Sequence, residues 1–450
     1  MNGSMWELPH WMHWLAGVLV DHGFTNLDVL DLYSSEVAGA TVNAQRVRSA
    51  IKQHPANVYL FSPMTANIHF AYEIADLLKT EYPACQIVFG GVMASPLHEE
   101  VANYSSVDYV VFDRGEYALP ALLRVLDSGG DHSSVGNLSY KDSSGQVITN
   151  QRRYPYLAVS KIPFPKIDLL PPSTGQALRY IRVVHALGCP YKCPFCTIQT
   201  IGRKADYFAI DRVLAEIRAY RKYYGEHHNI YWGDETFTLD SNRTLALCAA
   251  LEAEGNVFYD CQTRLNCLAD PRIIDALARS GCRWLEVGLE TMNQKTQDVF
   301  KQRVKIGTAE HILERARDAG IATCSFMVNG FPDQTPDDMR RSIDATCELI
   351  QRDLLQASYL QVLVPYPGGE LFEHPEKYGI RIHHKRYEYY SEDMCPVFDS
   401  PFATAEESYE IFKDGLVSLA QAMHKKPYFG EIPSPQEVHR FGKFWKDSHA

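Results

Sequence analysis

The first 130 residues alternate short apolar runs with longer amphipathic stretches. The apolar runs, typical of buried strands, are Leu27–Leu32, Asn57–Ser62, Gln86–Gly90 and Asp108–Phe112. The amphipathic stretches, typical of helices, are Trp11–His22, Asn43–Gln53, Ile68–Glu81, Pro96–Tyr104 and Tyr117–Leu126. Strands that alternate with helices predict a doubly wound parallel sheet. Since a helix opens this pattern, either the sheet is one strand short or the chain starts later than its relatives.

Two further features follow this alternation. Asn137–Tyr140 and Gln146–Thr149 flank an Asp-Ser-Ser-Gly turn and predict a β-hairpin. The stretch Lys161–Pro172 is rich in proline, which favours an interdomain linker. We therefore expect a Rossmann-like domain over residues 1–150 and a linker over residues 151–178.

From residue 179 the alternation restarts at a longer period. The predicted strands are Tyr180–Ala186, Asn229–Trp232, Val257–Thr263, Trp284–Leu289, Ala322–Asn329 and Ala357–Val364. A helical stretch follows each of the first five, for example Asp211–Tyr223 and Asp270–Arg279. Six such units predict a partial (β/α)6 barrel over residues 179–370, with its chemistry at the carboxyl ends of the strands. Residues 371–450, which include the predicted helix Ala405–Met423, would form a small helical capping region.

Composition and charge narrow the class of protein. The chain has 450 residues, 46% of them hydrophobic and 22% charged, which is typical of a globular protein with a large core. A net charge of −11 without a long basic run argues against binding to nucleic acid or to an anionic membrane. The sequence has no long uninterrupted apolar stretch and no signal-peptide pattern at its start. Eleven cysteines in so long a chain favour the reducing cytoplasm.

One motif carries most of the chemical information, Cys189-Pro-Tyr-Lys-Cys193-Pro-Phe-Cys196, just after the first predicted barrel strand. A [4Fe–4S] cluster takes four ligands, so three cysteines in one loop would leave one iron open to another ligand. The alternatives are a structural zinc site that lacks its fourth ligand and three unrelated buried cysteines. A zinc ribbon needs a second pair of cysteines, and none follows at a suitable spacing.

This cysteine triplet resembles the signature of the radical S-adenosylmethionine (SAM) superfamily, in which an aromatic residue, here Phe195, precedes the third cysteine. The resemblance covers roughly residues 179–370. It implies that Cys189, Cys193 and Cys196 bind the cluster and that the open iron binds SAM. An external reductant such as flavodoxin or ferredoxin would supply one electron, which cleaves SAM to a 5′-deoxyadenosyl radical. That radical abstracts hydrogen from an unactivated C–H bond of the substrate.

The resemblance also suggests contacts to SAM at other strand ends. Gly233-Asp234-Glu235 ends the second strand, where the family holds the methionine amino group with a Gly-Gly-Glu-like loop. In this chain the middle residue of the three is Asp234 and not glycine. Gln262 and Arg264 end the third strand and Glu290 ends the fourth, placed to reach the ribose hydroxyls and the carboxylate. The alternative for each is a solvated charge at a strand end.

Tyr207 follows the cysteine loop, where relatives often carry a basic residue. It is a candidate hydrogen donor or substrate ligand. The alternative is that its ring simply packs at the surface.

The N-terminal domain resembles the cobalamin-binding branch of the superfamily, with Gly90-Gly91 after one strand and Arg114-Gly115-Glu116 after the next. That branch places a corrinoid between the two domains, facing the cluster. Here Ser62, Thr65, Gly90 and Gly91 would contact it, since they follow two adjacent strands. The Asp-x-His-x-x-Gly motif of other corrinoid proteins is absent.

The expected function is cobalamin-dependent methyl transfer to a small-molecule substrate, of the secondary-metabolite class. Relatives that keep the domain without cobalamin leave a second possibility, which is radical dehydration, cyclisation or rearrangement on the same scaffold. A third is an iron–sulfur protein that binds or transfers electrons without radical chemistry, although it would not explain the barrel or the polar strand ends.

Overall fold

The computed structural model describes residues 9–30, 44–176, 178, 180–200, 202, 204–226 and 229–423. These residues fall into two compact units. The first, called the N-terminal unit, comprises the described residues up to Gly188 and those from Thr197 to Glu226. The second, called the C-terminal unit, comprises Cys189–Cys196 and the described residues from Asn229 onward.

The N-terminal unit contains seven helices and eight strands among its described residues. The helices are α1 (His10–Asp21), α2 (Ala44–Gln53), α3 (Ile68–Glu81), α4 (Gly91–Ala94), α5 (His98–Asn103), α6 (Gly115–Ser128) and α7 (Ile210–Tyr224). The strands are β1 (Val58–Phe61), β2 (Gln86–Phe89), β3 (Tyr109–Val111), β4 (Leu138–Lys141), β5 (Val147–Thr149), β6 (Tyr180–Val183), β7 (Ala186–Leu187) and β8 (Asp206–Tyr207).

Strands β1 to β5 form one sheet in chain order. The first three pair in parallel, while β4 and β5 form the predicted antiparallel hairpin. Within the described residues this sheet has no reversal of strand order, the feature that opens a ligand crevice in doubly wound folds. Its core packs Val88 and Val111 of the sheet against Leu119 and Leu122 of α6 and Leu19 of α1.

The predicted strand Leu27–Leu32 is not observed over residues 27–30, and its last two residues lie outside the described residues. Asp28 gives the physical reason. Its carboxylate accepts a hydrogen bond from the Val29 N–H (2.8 Å) and contacts the His54 ring (2.6 Å). Such local side-chain bonds to the backbone compete with strand pairing.

The proline-rich segment, predicted to be a linker, packs as part of the N-terminal unit. The Tyr224 hydroxyl donates to the Ile167 carbonyl (2.8 Å), and Arg212 donates to the Pro163 carbonyl (2.8 Å). The Lys166 N–H donates to the His13 carbonyl (2.9 Å). The segment is therefore held by side chains of α7, which lie 49 and 57 residues later in the sequence than the carbonyls they bind.

The C-terminal unit contains seven further helices and seven further strands among its described residues. The helices are α8 (Ser241–Glu254), α9 (Pro271–Arg279), α10 (Gln294–Phe300), α11 (Ala309–Asp318), α12 (Pro336–Gln351), α13 (Glu370–Glu373) and α14 (Ala405–Met423). The strands are β9 (Asn229–Trp232), β10 (Tyr259–Arg264), β11 (Cys282–Glu290), β12 (Ala322–Asn329), β13 (Ala357–Val362), β14 (Arg381–Ile382) and β15 (Phe398–Asp399).

Strands β9 to β13 pair in parallel and in chain order, with helices between them. Together with β6 they account for the six strands of the predicted partial barrel. Helix α14 packs on α12 and β13 at Gly415, where a Cβ atom would lie 2.7 Å from Ile343 and 2.8 Å from Leu360. The expected α/β fold class, a Rossmann-like domain followed by a TIM-type partial barrel and a small C-terminal region, is confirmed. In the described part of the chain, every helix is too short or too polar to cross a membrane.

Candidate active site

The three cysteines of the motif lie in an irregular loop after β7. Gly188 begins the loop with a φ of +89°, and a Cβ atom there would lie 2.5 Å from the Lys204 carbonyl oxygen. The position therefore requires glycine. Cys189 and Cys193 are buried, whereas Cys196 is partly exposed. The Cys196 N–H donates to the Cys193 carbonyl (3.0 Å), which closes a turn between the last two thiols.

The loop is attached to the segments that follow β12 and β13. The Phe195 ring packs edge-on against Phe331, with 5.6 Å between the ring centroids. The Leu371 N–H donates to the Pro194 carbonyl (3.1 Å). Gly369 lies beside this bond, since a Cβ atom there would be in van der Waals contact with the Pro194 and Phe195 carbonyl oxygens. Phe195 is thus an anchor of the loop.

The arrangement of the thiols bears on the kind of metal centre. Among the described residues, no three His, Cys, Asp or Glu side chains converge on a point where they could hold a single metal ion. In a [4Fe–4S] cluster each thiolate binds a different iron, so three cysteines in one anchored loop suit three of its four irons.

The protonation state of Cys189 follows from its surroundings. Burial raises the pKa of this thiol, although hydrogen bonds from the Tyr191 N–H and the Thr236 side chain and the charge of Arg264 oppose the shift. The thiol is therefore neutral in the metal-free protein. Binding a metal would release its proton, as is general for cysteine ligands.

Arg264, at the end of β10, reaches the cysteine loop. Its guanidinium stacks on the Tyr191 ring, 3.7 Å from the centroid, and donates to the Cys193 sulfur (3.2 Å). The side chain is thus engaged with the loop. Tyr191 was not predicted as a site residue, although its position inside the cysteine motif could have indicated it.

The predicted SAM contacts at β9 and β10 lie next to each other. Asp234 is buried, while Gly233 and Glu235 are partly exposed. The Gln262 side-chain amide donates to the Asp234 carbonyl (2.9 Å), and the Phe237 N–H donates to the Gln262 carbonyl (2.9 Å). These bonds fix the loop after β9 against the end of β10.

Glu290 ends β11 in a strained conformation. Its φ is +60°, which is uncommon for a residue other than glycine. The register between β11 and β12 shifts between Gly288 and Glu290. The Glu290 carboxylate forms a buried ion pair with Lys301. Lys301 belongs to the site by this contact, but nothing in the sequence around it marked it.

Another carboxylate, Glu286, lies on the same strand. It is buried, and the Tyr231 hydroxyl donates to it (2.9 Å). Gln262 of β10 is its register partner, so Glu286 and Gln262 share a face of the sheet. Glu286 was not predicted from the sequence, because it lies inside β11 and not at its end. The register shift between Gly288 and Glu290 also breaks the simple alternation of faces between Glu286 and Glu290.

The predicted cobalamin contacts lie in adjacent loops of the N-terminal unit. Ser62 and Thr65 follow β1, Gly90 and Gly91 follow β2, and the Gly90 N–H donates to the Phe61 carbonyl (2.9 Å). Gly91 has a φ of +88°, and a Cβ atom there would collide with the Ser62 hydroxyl. The need for glycine at this position therefore arises within the unit itself.

Tyr207 lies in the N-terminal unit, on the short strand β8 opposite Ala186 of β7. Its ring stacks on His185, with 5.8 Å between the centroids. These contacts hold the ring in place. Its predicted role in substrate chemistry stays a prediction.

Comparison with known proteins bears on the family. The profile of the Radical SAM superfamily matches residues 183–346, which contain the cysteine loop and strands β9 to β12. The profile of the B12 binding domain matches residues 7–123. The chain therefore carries a radical SAM domain and, before it, a B12-binding domain. The resemblance predicted from the cysteine motif is therefore confirmed.

Curated relatives of this radical SAM protein include two methyltransferases and a cyclase. An uncharacterized methyltransferase of Pyrococcus horikoshii is 23% identical over 83% of this chain and 80% of its own length. Bacteriochlorophyllide d C-12(1)-methyltransferase of Chlorobaculum tepidum is 24% identical over 80% of this chain and 75% of its own. The anaerobic magnesium-protoporphyrin IX monomethyl ester cyclase of Rubrivivax gelatinosus is 21% identical over 81% of this chain and 66% of its own.

Two solved structures share the fold over nearly the whole chain. The radical SAM methyltransferase TsrM of Kitasatospora setae, with cobalamin and a [4Fe–4S] cluster bound, aligns over 100% of this chain and 97% of its own. Its TM-score is 0.71 and its identity 14%. The cobalamin-dependent radical SAM enzyme OxsB aligns over 99% of this chain and 69% of its own, with a TM-score of 0.72 and 15% identity.

Proposed function

We propose that this radical SAM protein is a cobalamin-dependent methyltransferase that acts on an unactivated C–H bond of a small-molecule substrate, of the secondary-metabolite class. The observation that carries the proposal is the B12-binding domain in front of the radical SAM domain on one chain. Relatives named as methyltransferases align over about four-fifths of this chain, which supports the same assignment.

In this proposal Cys189, Cys193 and Cys196 hold a [4Fe–4S] cluster that leaves one iron open. When bound, the cluster supplies the electron that cleaves SAM to methionine and a 5′-deoxyadenosyl radical, and cobalamin carries the transferred methyl group. The protein part of the work is to fix and shield these groups. Gly188, Phe195 and the bond from Leu371 to Pro194 hold the cysteine loop in place.

The strand ends of the C-terminal unit would bind SAM. The loop Gly233-Asp234-Glu235 would hold the methionine amino group with its backbone and acidic side chains, and the bond from Gln262 to the Asp234 carbonyl keeps that loop in place. Glu290 contacts Lys301 through one carboxylate oxygen, which leaves the other for a ribose hydroxyl. Charge-assisted hydrogen bonds of this kind are worth about 1.5–3 kcal/mol each.

Ser62, Thr65, Gly90 and Gly91 would contact the corrinoid from two neighbouring loops. The N–H of Gly90 is used within the sheet, so the contacts would come from Ser62, Thr65 and the backbone around Gly91. Exposed Met64, between Ser62 and Thr65, offers apolar surface for a flat macrocycle. Tyr207 is proposed as a hydrogen donor or substrate ligand.

An external one-electron donor such as flavodoxin or ferredoxin would reduce the cluster, and the protein would work in the cytoplasm. Eleven cysteines without a disulfide between any two described sulfurs support a reducing compartment.

The test of the cluster uses anaerobically reconstituted holoenzyme. Replacing Cys189, Cys193 and Cys196 by alanine should abolish iron binding and the formation of 5′-deoxyadenosine. Cys267→Ala is the matched control, because Cys267 lies 3.5 Å from the Tyr191 hydroxyl but outside the triplet. Full iron content in the triple variant would refute the proposed cluster site.

The cyclase relatives favour a second candidate, cobalamin-independent radical cyclisation or a related dehydration or rearrangement. Expression with hydroxocobalamin, followed by measurement of cobalt and iron per chain, separates the two functions. We expect one cobalt per fully clustered chain and corrinoid bands in the absorption spectrum. A fully clustered protein with almost no cobalt would favour the second candidate.

A further inference from the structure

Arg264 is a buried cation without a carboxylate partner. The residue is 5% exposed, and it forms no ion pair with an Asp or Glu among the described residues. Burial of an unpaired charge is costly, since the protein interior solvates it poorly. A side chain in this state points to an anion that joins it in the functional protein.

The donors of the guanidinium identify that anion. Nε donates to the Asn266 side-chain oxygen (3.2 Å), and one terminal nitrogen donates to the carbonyls of Gln302 (2.9 Å) and Lys301. The other terminal nitrogen donates to the Cys193 sulfur (3.2 Å). The oxygen acceptors are neutral amides. The remaining acceptor, the Cys193 sulfur, is one of the three proposed cluster ligands.

The geometry holds the guanidinium at this sulfur. It stacks on the Tyr191 ring at 3.7 Å, and the hydroxyl of that ring accepts a hydrogen bond from the Asn266 amide (2.7 Å). The turn that supplies the two carbonyls is unusual, because Gln302 and Arg303 have φ values of +36° and +65°. Two successive non-glycine residues in this region are strained. Strained backbone, aromatic ring and amide together fix one position of the charge.

We infer that Arg264 is a positioning residue that donates a charge-assisted hydrogen bond to the Cys193 thiolate and raises the reduction potential of the cluster. The inference rests on the proposed function only in that Cys193 is a cluster ligand. Reduction adds one negative charge to the cluster and its thiolates. A fixed cation at a ligand sulfur stabilises the reduced form more than the oxidised form, because potentials follow net charge and hydrogen bonds to sulfur. This role differs from a contact to the SAM carboxylate.

The first test is the midpoint potential of the reconstituted cluster, measured by EPR-monitored redox titration without SAM. Arg264→Gln keeps a donor but removes the charge, and Arg264→Lys keeps the charge but loses the fork. At a fixed ambient potential we expect the ratio of reduced to oxidised cluster to fall about tenfold in Arg264→Gln, equivalent to about 59 mV for one electron. For Arg264→Lys we expect a ratio between those of wild type and Arg264→Gln.

Arg283→Gln is the matched control for this series. Arg283 is also a barrel arginine stacked on an aromatic ring, 4.4 Å from the Phe258 centroid, but it is exposed and has no cysteine contact. We expect Arg283→Gln to leave the midpoint potential of the cluster unchanged. An unchanged potential in Arg264→Gln, with full iron content, would overturn the inference. Weaker SAM binding at an unchanged potential would show instead that Arg264 serves SAM.

The second test uses wild-type protein, so it does not depend on whether a variant retains its cluster. In wild-type protein labelled with ¹⁵N at the guanidinium of arginine, ENDOR of the reduced cluster should show a weakly coupled ¹⁵N nucleus. Absence of that coupling would overturn the inference. Failure of the proposed cluster site is a separate result, because it would appear as iron retained in the triple cysteine variant.

Discussion

Glu290 and Lys301 form an ion pair in which the two side chains are only 9% and 8% exposed. The lysine follows α10, and the glutamate occupies the strained end of β11. Gly288 makes room for the pair, because a Cβ atom there would lie in contact with the Lys301 amine. Three residues of the fold thus serve to place one carboxylate at a strand end.

We predict that Lys301→Met destabilises the protein by about 3–5 kcal/mol, because it leaves the Glu290 carboxylate buried and unpaired. The double variant Glu290→Gln/Lys301→Met should recover most of that loss, since it removes the charge as well as its partner. Urea unfolding of the metal-free protein measures both. A Lys301→Met variant as stable as wild type would show that the pair carries no weight in folding.

Gly91→Ala should destabilise the N-terminal unit through two effects, the positive φ of +88° and the collision with the Ser62 hydroxyl. Gly23→Ala isolates the first effect, because Gly23 has a φ of +93° with nothing within 4 Å of its would-be Cβ. We expect a cost of about 1–2 kcal/mol for Gly23→Ala. Gly91→Ala should destabilise the protein more than Gly23→Ala does. In the double variant Gly91→Ala/Ser62→Ala the loss of stability should come close to that of Gly23→Ala. Equal losses at the two glycines would rule out the Ser62 contact as a cause.

We predict that the buried imidazole of His13 makes the stability of the protein depend on pH. Burial lowers the pKa of its imidazole to about 4, although the Lys166 carbonyl and Asp168 oppose this shift. The ordinary value is about 6.5, so between these two pH values the unfolded chain binds a proton that the folded chain does not. The free energy of unfolding should therefore fall as pH falls through this window, by up to about 3 kcal/mol.

Urea unfolding from pH 7 to pH 4.5 measures this effect. His13→Gln should show a shallower pH dependence than wild type, because it removes the titrating group. His374→Gln is the control, since the His374 side chain is 62% exposed. A pH profile that His13→Gln leaves unaltered would contradict the assignment.

Thr335 caps α12, the helix on which α14 packs. Its hydroxyl accepts from the Asp338 N–H (3.2 Å), and the Asp338 carboxylate accepts from the Thr335 N–H (3.0 Å). Thr335→Ala should cost about 1 kcal/mol. Thr308→Ala is the comparison, because Thr308 precedes α11 without a side-chain capping bond. If thermal unfolding shows the same small loss for both, the capping box does not stabilise α12.

Much of the secondary structure could be predicted from the sequence, because its apolar periodicity is local. The predicted bounds of α3, β9, β12 and α14 agree with the observed ones. The exception at Leu27–Leu32 arises where Asp28 bonds to its own neighbour in the chain and to His54. Periodicity alone cannot weigh such a polar bond against strand pairing.

The candidate site, like the secondary structure, could be predicted from the sequence only in part. The spacing of Cys189, Cys193 and Cys196 indicated the resemblance from the sequence alone, because all three residues lie within one eight-residue motif. Strand ends gave Asp234, Gln262 and Glu290, since the carboxyl ends of parallel strands meet at one edge. Their roles as ligands stay predictions.

The sequence by itself determined the order of the elements and the chemistry of the cysteine loop. Only the tertiary structure decided which side chains meet, such as Arg264 with Cys193, 71 residues apart, and Lys301 with Glu290. These contacts depend on strand register, on the shift after Gly288 and on the strained turn at Gln302. Each is set by packing between elements that are distant along the chain, and no local pattern of residues encodes it.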